Sequence, residues 1–211
     1  MGVTKEMAAE NRQKILAAAE RLFREKGVDA VGLTELMREA GFTQGGFYNH
    51  FKSKEALVSE ALERAVEEGV QELSDAIANS RAKGIDPLTR QINWYLSPEQ
   101  RDDIECGCAM AGFVGDIPRL TKEAQSSYAE ALEQTFERIA EMIRFQKPTL
   151  SKKGAHRRAI ALYGQMVGSL LLSRAVSSGN PKLADEILKQ TQTEIFADLY
   201  KAAGSAERRT K

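Results

Sequence analysis

An all-α fold is predicted by three features of this 211-residue sequence. Apolar side chains recur at three- and four-residue steps, no segment alternates in the period-two manner of a strand, and prolines and glycines fall where helices would begin and end. About nine helices are expected from this punctuation. Three form a small N-terminal unit, residues 1–55, and the others a larger helical body, residues 56–211. The two parts are punctuated differently, because all five prolines (Pro87, Pro98, Pro118, Pro148 and Pro181) lie in the second.

From Asn11 to Lys26 the side chains of Ile15, Ala18, Ala19, Leu22 and Phe23 share one helical face, and Gly27 ends that helix. Thr34 is expected to N-cap a second helix, Glu35–Ala40, with Leu36 and Met37 inward and Gly41 closing it. A third short helix follows Thr43. Ser53 caps a long fourth one, in which Leu57, Ala61, Ala65, Gly69, Leu73 and Ile77 recur at every fourth position. Asp86-Pro87, Ser97-Pro98 and Asn180-Pro181 each read as a cap followed by a first helical residue, and Ser97-Pro98-Glu99-Gln100 has capping-box spacing. Further helices are expected over 87–96, 107–117, 122–146, 152–178 and 181–203. The first eight residues and the tail 207–211 are expected to be disordered.

Hydrophobic residues at 42% and charged residues at 28% are the profile of an ordinary globular chain. No run approaches about 18 consecutive apolar residues, and Met1–Arg12 is polar, so neither a membrane span nor a secretory signal is expected and the cytoplasm is the expected location. Cys106 and Cys108 stand too close to staple distant parts of a fold. Residues 84–200 contain no phosphate-cradling glycine loop and no nucleophile elbow, and the chain has only two histidines, His50 and His156. Neither an enzyme, a metal site nor a cofactor is therefore expected.

Thirty basic and thirty acidic side chains cancel, which argues against a non-specific nucleic-acid coat. Their distribution is uneven. No acid lies between Glu39 and Glu55, where His50, Lys52 and Lys54 fall, whereas residues 56–80 carry Glu60, Glu63, Glu67, Glu68, Glu72 and Asp75 against Arg64. A surface facing phosphates would have this asymmetry. In the same window two short helices meet across a turn containing Gly41, the arrangement of a helix-turn-helix whose second helix enters the major groove. Phe42, Phe47 and Phe51 supply its apolar underside. Gln44 and Asn49 can offer paired hydrogen bonds to an adenine edge, while Thr34, Thr43, Tyr48 and Lys54 suit phosphate oxygens.

The stretch Ala40-Gly41-x-Thr43-x-Gly45-x-x-Tyr48-x-x-Phe51-x-Ser53-Lys54-Glu55-Ala56-Leu57, preceded by Ile15-x-x-Ala18-x-x-Leu-Phe, resembles the signature of TetR-family regulators over residues 9–62. Trp94–Asp102 and Gly107-Cys108 are similar to a subgroup with a Tyr-Leu-Ser…Arg-Asp…Gly-Cys-Pro pattern, Ala109 standing where the proline is usual. The resemblance implies three DNA-binding helices, a fourth linking helix, and a ligand-binding body whose last two helices pair with a second subunit. It also implies DNA contacts for Gln44, Gly45, Gly46, Tyr48 and His50, with flanking phosphate contacts from Thr34 and Lys54. Gly45 and Gly46 depart from the usual mix there, and are read as letting the backbone approach the duplex.

In the body, Trp94, Tyr95, Met110 and Phe113, together with Tyr128, Phe136, Met142 and Met166, lie on helices expected to enclose a cavity for a small-molecule effector. Gly164 and Gly168 would let a second subunit's helix approach, with Leu171, Leu188, Ile195 and Leu199 completing a homodimer interface. Lys147, Lys152, Lys153, Arg157 and Arg158 read as a solvated basic loop. The function expected is a transcriptional repressor released from operator DNA by its ligand. The alternative is a DNA-bound redox or electrophile sensor acting through Cys106 or Cys108, which Asp102, Asp103 and Glu105 disfavour by opposing a thiolate.

Overall fold

The computed structural model describes residues 5–204, and the expected disorder at 1–4 and 207–211 lies outside the described residues. All regular structure within them is helical: α1 (Lys5–Lys26), α2 (Leu33–Glu39), a first 3₁₀ helix (Gln44–Asn49), α3 (Lys54–Ala82), α4 (Pro87–Tyr95), α5 (Pro98–Asp102), α6 (Ala109–Phe113), a second 3₁₀ helix (Ile117–Arg119), α7 (Lys122–Gln146), α8 (Lys152–Val176) and α9 (Pro181–Gly204).

Helix ends follow local chemistry. The Asp86 carboxylate accepts the Thr89 amide at 2.8 Å, Ser97 Oγ the Gln100 amide at 3.2 Å, and Asn180 Oδ1 the Leu183 amide at 3.1 Å, each ahead of a proline. Ser53 Oγ accepts from the Ala56 amide at 3.2 Å. Gly27, at φ +81°, stops α1, and Gly41, at φ +84°, lets the Phe42 amide reach back to the Met37 carbonyl at 2.7 Å.

Four sequence expectations need correction. Helix α1 already runs from Lys5, so residues 5–8 are helical. Gly32, not Thr34, is the N-cap of α2; Thr34 lies inside its first turn. The span 107–117 is broken into the five-residue α6, a turn and the second 3₁₀ helix, since Gly112, Gly115 and Pro118 leave too few good helix formers to propagate. The turn after Gly41 continues as a 3₁₀ helix rather than an α-helix, which two adjacent glycines favour by withdrawing side-chain support.

By internal contacts the chain forms two compact units, residues 1–73 with 104–134 and residues 74–103 with 135–211. In the first, Ile15, Ala19, Leu22 and Phe23 of α1 are buried together with Leu36 and Met37 of α2, Phe47, Phe51, and Leu57, Ala61 and Leu62 of α3. Polar ties bind α1 to α3: Arg12 pairs with Glu60, and Arg64 reaches Glu20 at 3.0 Å and Gln13 at 2.6 Å.

In the second unit α8 packs along α9, with Ser173 Oγ donating to the Ala184 carbonyl at 2.8 Å and the Ser169 and Thr191 hydroxyls 2.8 Å apart. Arg174 of α8 donates to the carbonyls of Gln100 and Arg101 in α5 at 2.9 and 3.0 Å. By length and composition α8 would also suffice to cross a membrane, because its Ala, Gly and Leu content averages apolar although Ser, Gln and Arg interrupt it.

Candidate nucleic-acid interface

Residues 40–54 present one side to the core and the other outward. Phe47 is fully buried; its ring stacks on Phe51 at 5.8 Å and meets Tyr48 edge-on at 5.2 Å. Tyr48, the neighbouring residue, is 69% exposed. Thr43, Gln44, Gly45 and Asn49 are exposed, and Gly46 and His50 are half-buried. The reason is geometric: in a 3₁₀ helix residues three apart eclipse, so burial of Phe47 turns its immediate neighbours away. His50 lies against Phe42, ring centroids 6.5 Å apart.

Two expected phosphate ligands have partners inside the chain. Thr34 Oγ1 donates to Gln44 Oε1 at 2.7 Å, and Lys54 Nζ donates to the Val28 carbonyl at 2.8 Å. Sequence reasoning missed the guanidinium of Arg12, 4.4 Å over the Phe51 ring and paired with Glu60, which braces the aromatic floor from α1. No local motif marks such a contact. Arg38 and Lys52 are exposed cations flanking the segment in sequence; the acid-free window 40–54 was the signal for Lys52.

The residues expected to line a cavity divide between the two units. In the first, Met110 and Phe113 are buried, and Tyr128 donates its hydroxyl to the Met110 carbonyl at 2.8 Å. Burial pushes the Tyr128 phenol well above its ordinary pKa, with Cys108 adding to the effect, so it stays a donor. In the second, Tyr95, Met142 and Met166 are buried, and the half-buried Phe136 meets Tyr163 and His156 edge-on at 6.0 and 6.1 Å. Trp94 is 52% exposed and points away from any such wall, because the inward positions of the short α4 are taken by Leu88, Ile92 and Tyr95. A cleft of about 60 Å³ opens in the first unit instead, between Glu63, Val66, Glu67 and Val70 of α3 and Ser127, Glu130, Ala131 and Gln134 of α7.

Of the residues expected at a dimer interface, Leu188 and Ile195 are buried within the chain, since α9 must cover α8 with its own apolar stripe. Gly164 is exposed, Gly168, Leu171 and Leu199 are half-buried, and Leu172 is 61% exposed. Lys147, read as part of a solvated loop, donates to the Leu199 carbonyl at 2.6 Å. Cys106 is exposed and Cys108 half-buried.

A buried aromatic floor under an outward polar rod, joined by a glycine turn to a preceding helix, defines a helix-turn-helix DNA-binding protein. Residues 15–61 match the family model described as bacterial regulatory proteins, tetR family. The transcriptional regulator LmrA of Bacillus subtilis is 26% identical over 177 residues, covering 82% of this chain and 92% of LmrA. AcrR of Shigella flexneri is 48% identical over 60 residues, 28% of either chain. The crystal structure of the reduced form of NemR from Escherichia coli superposes with a TM-score of 0.71 at 20% identity, over 88% of this chain and 96% of NemR. The chain belongs to the TetR family and is a DNA-binding transcriptional regulator, not an enzyme.

Proposed function

We propose that the protein is a homodimeric repressor that holds operator DNA through residues 44–50 of two protomers and leaves it when a small molecule occupies the helical body. The observation that carries this reading is the split within the first 3₁₀ helix, where Phe47 is fully buried while the adjacent Tyr48 is 69% exposed. A rod anchored by one aromatic and projecting the next can enter a groove without unfolding its support. On this reading Gln44 and Asn49 face base edges, Gly45 and Gly46 admit the backbone close to the duplex, and Thr43, Tyr48, His50 and Lys54 contact the sugar-phosphate rails. Residues 1–55 bind DNA, and residues 56–211 receive the effector and dimerise.

A symmetric dimer reads a pseudo-palindrome with half-sites about 34–36 Å apart or a related spacing. The open side of α8, with Gly164 and Leu172 exposed, supports the pairing. An effector lowers DNA affinity only as far as it prefers the state in which the two rods are misaligned. NemR of E. coli, 25% identical over 118 residues, is itself a repressor. Footprinting on the DNA beside the gene, followed by titration of candidate ligands, tests the proposal. Failure to select any palindrome from random DNA would remove it.

The exposure of Cys106 favours one second reading, in which oxidation or alkylation of the thiol is the releasing signal. Peroxide then dissociates the complex and Cys106→Ser abolishes that response, while small-molecule titration does neither.

A further inference from the structure

Gln44 does not present both ends of its amide equally. Thr34 Oγ1 lies 2.7 Å from Gln44 Oε1. The amide oxygen has no proton, so the threonine hydroxyl is the donor. The two residues meet because Thr34 stands in the first turn of α2, Gln44 opens the first 3₁₀ helix, and the Gly41 turn folds one element back beside the other. With the oxygen held at Thr34, the planar carboxamide turns its Nε2 group, carrying two N–H donors, to the opposite side.

Two consequences follow from proton counting. Thr34 has a single hydroxyl proton, and while Gln44 holds it Thr34 cannot donate to a phosphate oxygen, the role its family position implies. Reading adenine in bidentate fashion needs Gln44 to accept from N6–H₂ with its oxygen and donate to N7 with its nitrogen. That oxygen is engaged. Guanine offers two adjacent acceptors, N7 and O6, which an amino group can satisfy without disturbing the Thr34 bond. Both side chains are exposed in the free protein, where water competes for the bond; against a duplex that water is displaced and the bond strengthens.

We infer that Thr34 is a specificity-determining positioning residue, which makes Gln44 a donor-only reader selecting guanine over adenine in each half-site. The inference rests on the operator-binding reading above.

Random-sequence selection with the full-length protein, compared with Thr34→Val, Thr34→Ser and Gln44→Ala, tests it. Gln44→Ala marks the base pair that Gln44 reads, because preference there collapses. At that position the wild type is expected to favour guanine over adenine on the order of tenfold. Thr34→Val, similar in shape but without the proton, loses the guanine preference and shifts toward adenine; Thr34→Ser restores guanine. Adenine enriched by the wild type at that position overturns the inference, and this readout decides even if the valine variant does not fold. So does a Thr34→Val protein, folded by its thermal melt, whose preference matches wild type. A palindrome that Gln44→Ala leaves unchanged sinks the inference while leaving operator binding intact, whereas no enriched sequence at all removes both.

Discussion

The carboxylate of Asp116 accepts the backbone N–H of Val28 at 3.4 Å, across 88 residues of sequence. Lys54 holds the other polar group of the same residue, donating to the Val28 carbonyl at 2.8 Å. Arg119 bridges the contact, donating to Asp116 at 2.8 Å and to Asp29 at 3.2 Å. Gly27, where α1 stops, places the position of an absent Cβ 3.7 Å from both Asp116 oxygens. The loop that sets the exit from α1 toward the DNA-facing segment is therefore gripped by side chains from α3 and from the segment after α6.

Asp116 is 7% exposed, so Asp116→Ala leaves a buried amide unpaired and deprives Arg119 of one partner. A loss of about 1–3 kcal/mol is expected in urea unfolding, with weaker operator binding alongside. Asp116→Asn, which keeps an acceptor oxygen, should recover part of both. Equal stability of wild type and the alanine variant would show that the grip contributes nothing.

Gly45 is not among the described glycines with positive φ, and a Cβ added there meets nothing within 4 Å. Gly45→Ala should stabilise the unbound protein by about 0.5–1 kcal/mol, through lower chain entropy in the unfolded state. If the missing side chain admits DNA, operator affinity falls as the melting temperature rises. Unchanged affinity in electrophoretic shift assays would confine Gly45 to a local backbone role.

For Tyr48→Phe, operator and random DNA should both be bound more weakly by a similar factor, roughly tenfold for a hydroxyl given to a charged phosphate. The slope of affinity against salt should stay unchanged, since no charge is removed. Selective loss of operator binding would instead make Tyr48 a base reader.

Glu20 is 4% exposed, and burial pushes its carboxyl above the ordinary value of 4.5 while Arg64, at 3.0 Å, pulls it back. A carboxyl with a raised folded-state pKa holds its proton more tightly folded than unfolded. Stability therefore declines as pH rises from 4.5 through the raised value, and stays reduced above it. The stability difference between wild type and Glu20→Gln should accordingly move in favour of the glutamine variant from about pH 4 to pH 7. Denaturant titrations across that range check the sign; a difference moving toward wild type would mean that Arg64 outweighs burial.

Leu172 is 61% exposed on α8. Leu172→Arg should yield monomers in light scattering and lose operator binding by two or more orders of magnitude at nanomolar protein, because a single rod makes half the contacts. The melting temperature of the chain itself should change little. A dimer that survives the substitution would place the interface elsewhere.

Helix existence was legible in the sequence wherever the deciding interactions are local. Ile15, Ala19, Leu22 and Phe23 are buried as their spacing predicts, and Asp86, Ser97 and Asn180 cap where a following proline marks them. The aromatic floor of Phe47 and Phe51 was legible for the same reason, a few residues in one turn of chain. The partners of Thr34 and Lys54 were not, nor was the outward turn of Trp94 or the use of Leu188 and Ile195 inside the chain, because each depends on which surface a second element covers.

By itself, then, the amino-acid order determined where helices begin and end and which fifteen-residue window faces DNA, since capping, periodicity and charge act over a turn or two of backbone. Only the tertiary structure decided that Thr34 serves Gln44, that Val28 is held by Asp116, and that residues 104–134 share a compact unit with the DNA-facing helices. Such contacts arise when distant helices compete for the same apolar and polar surface, and no spacing within one segment encodes the outcome.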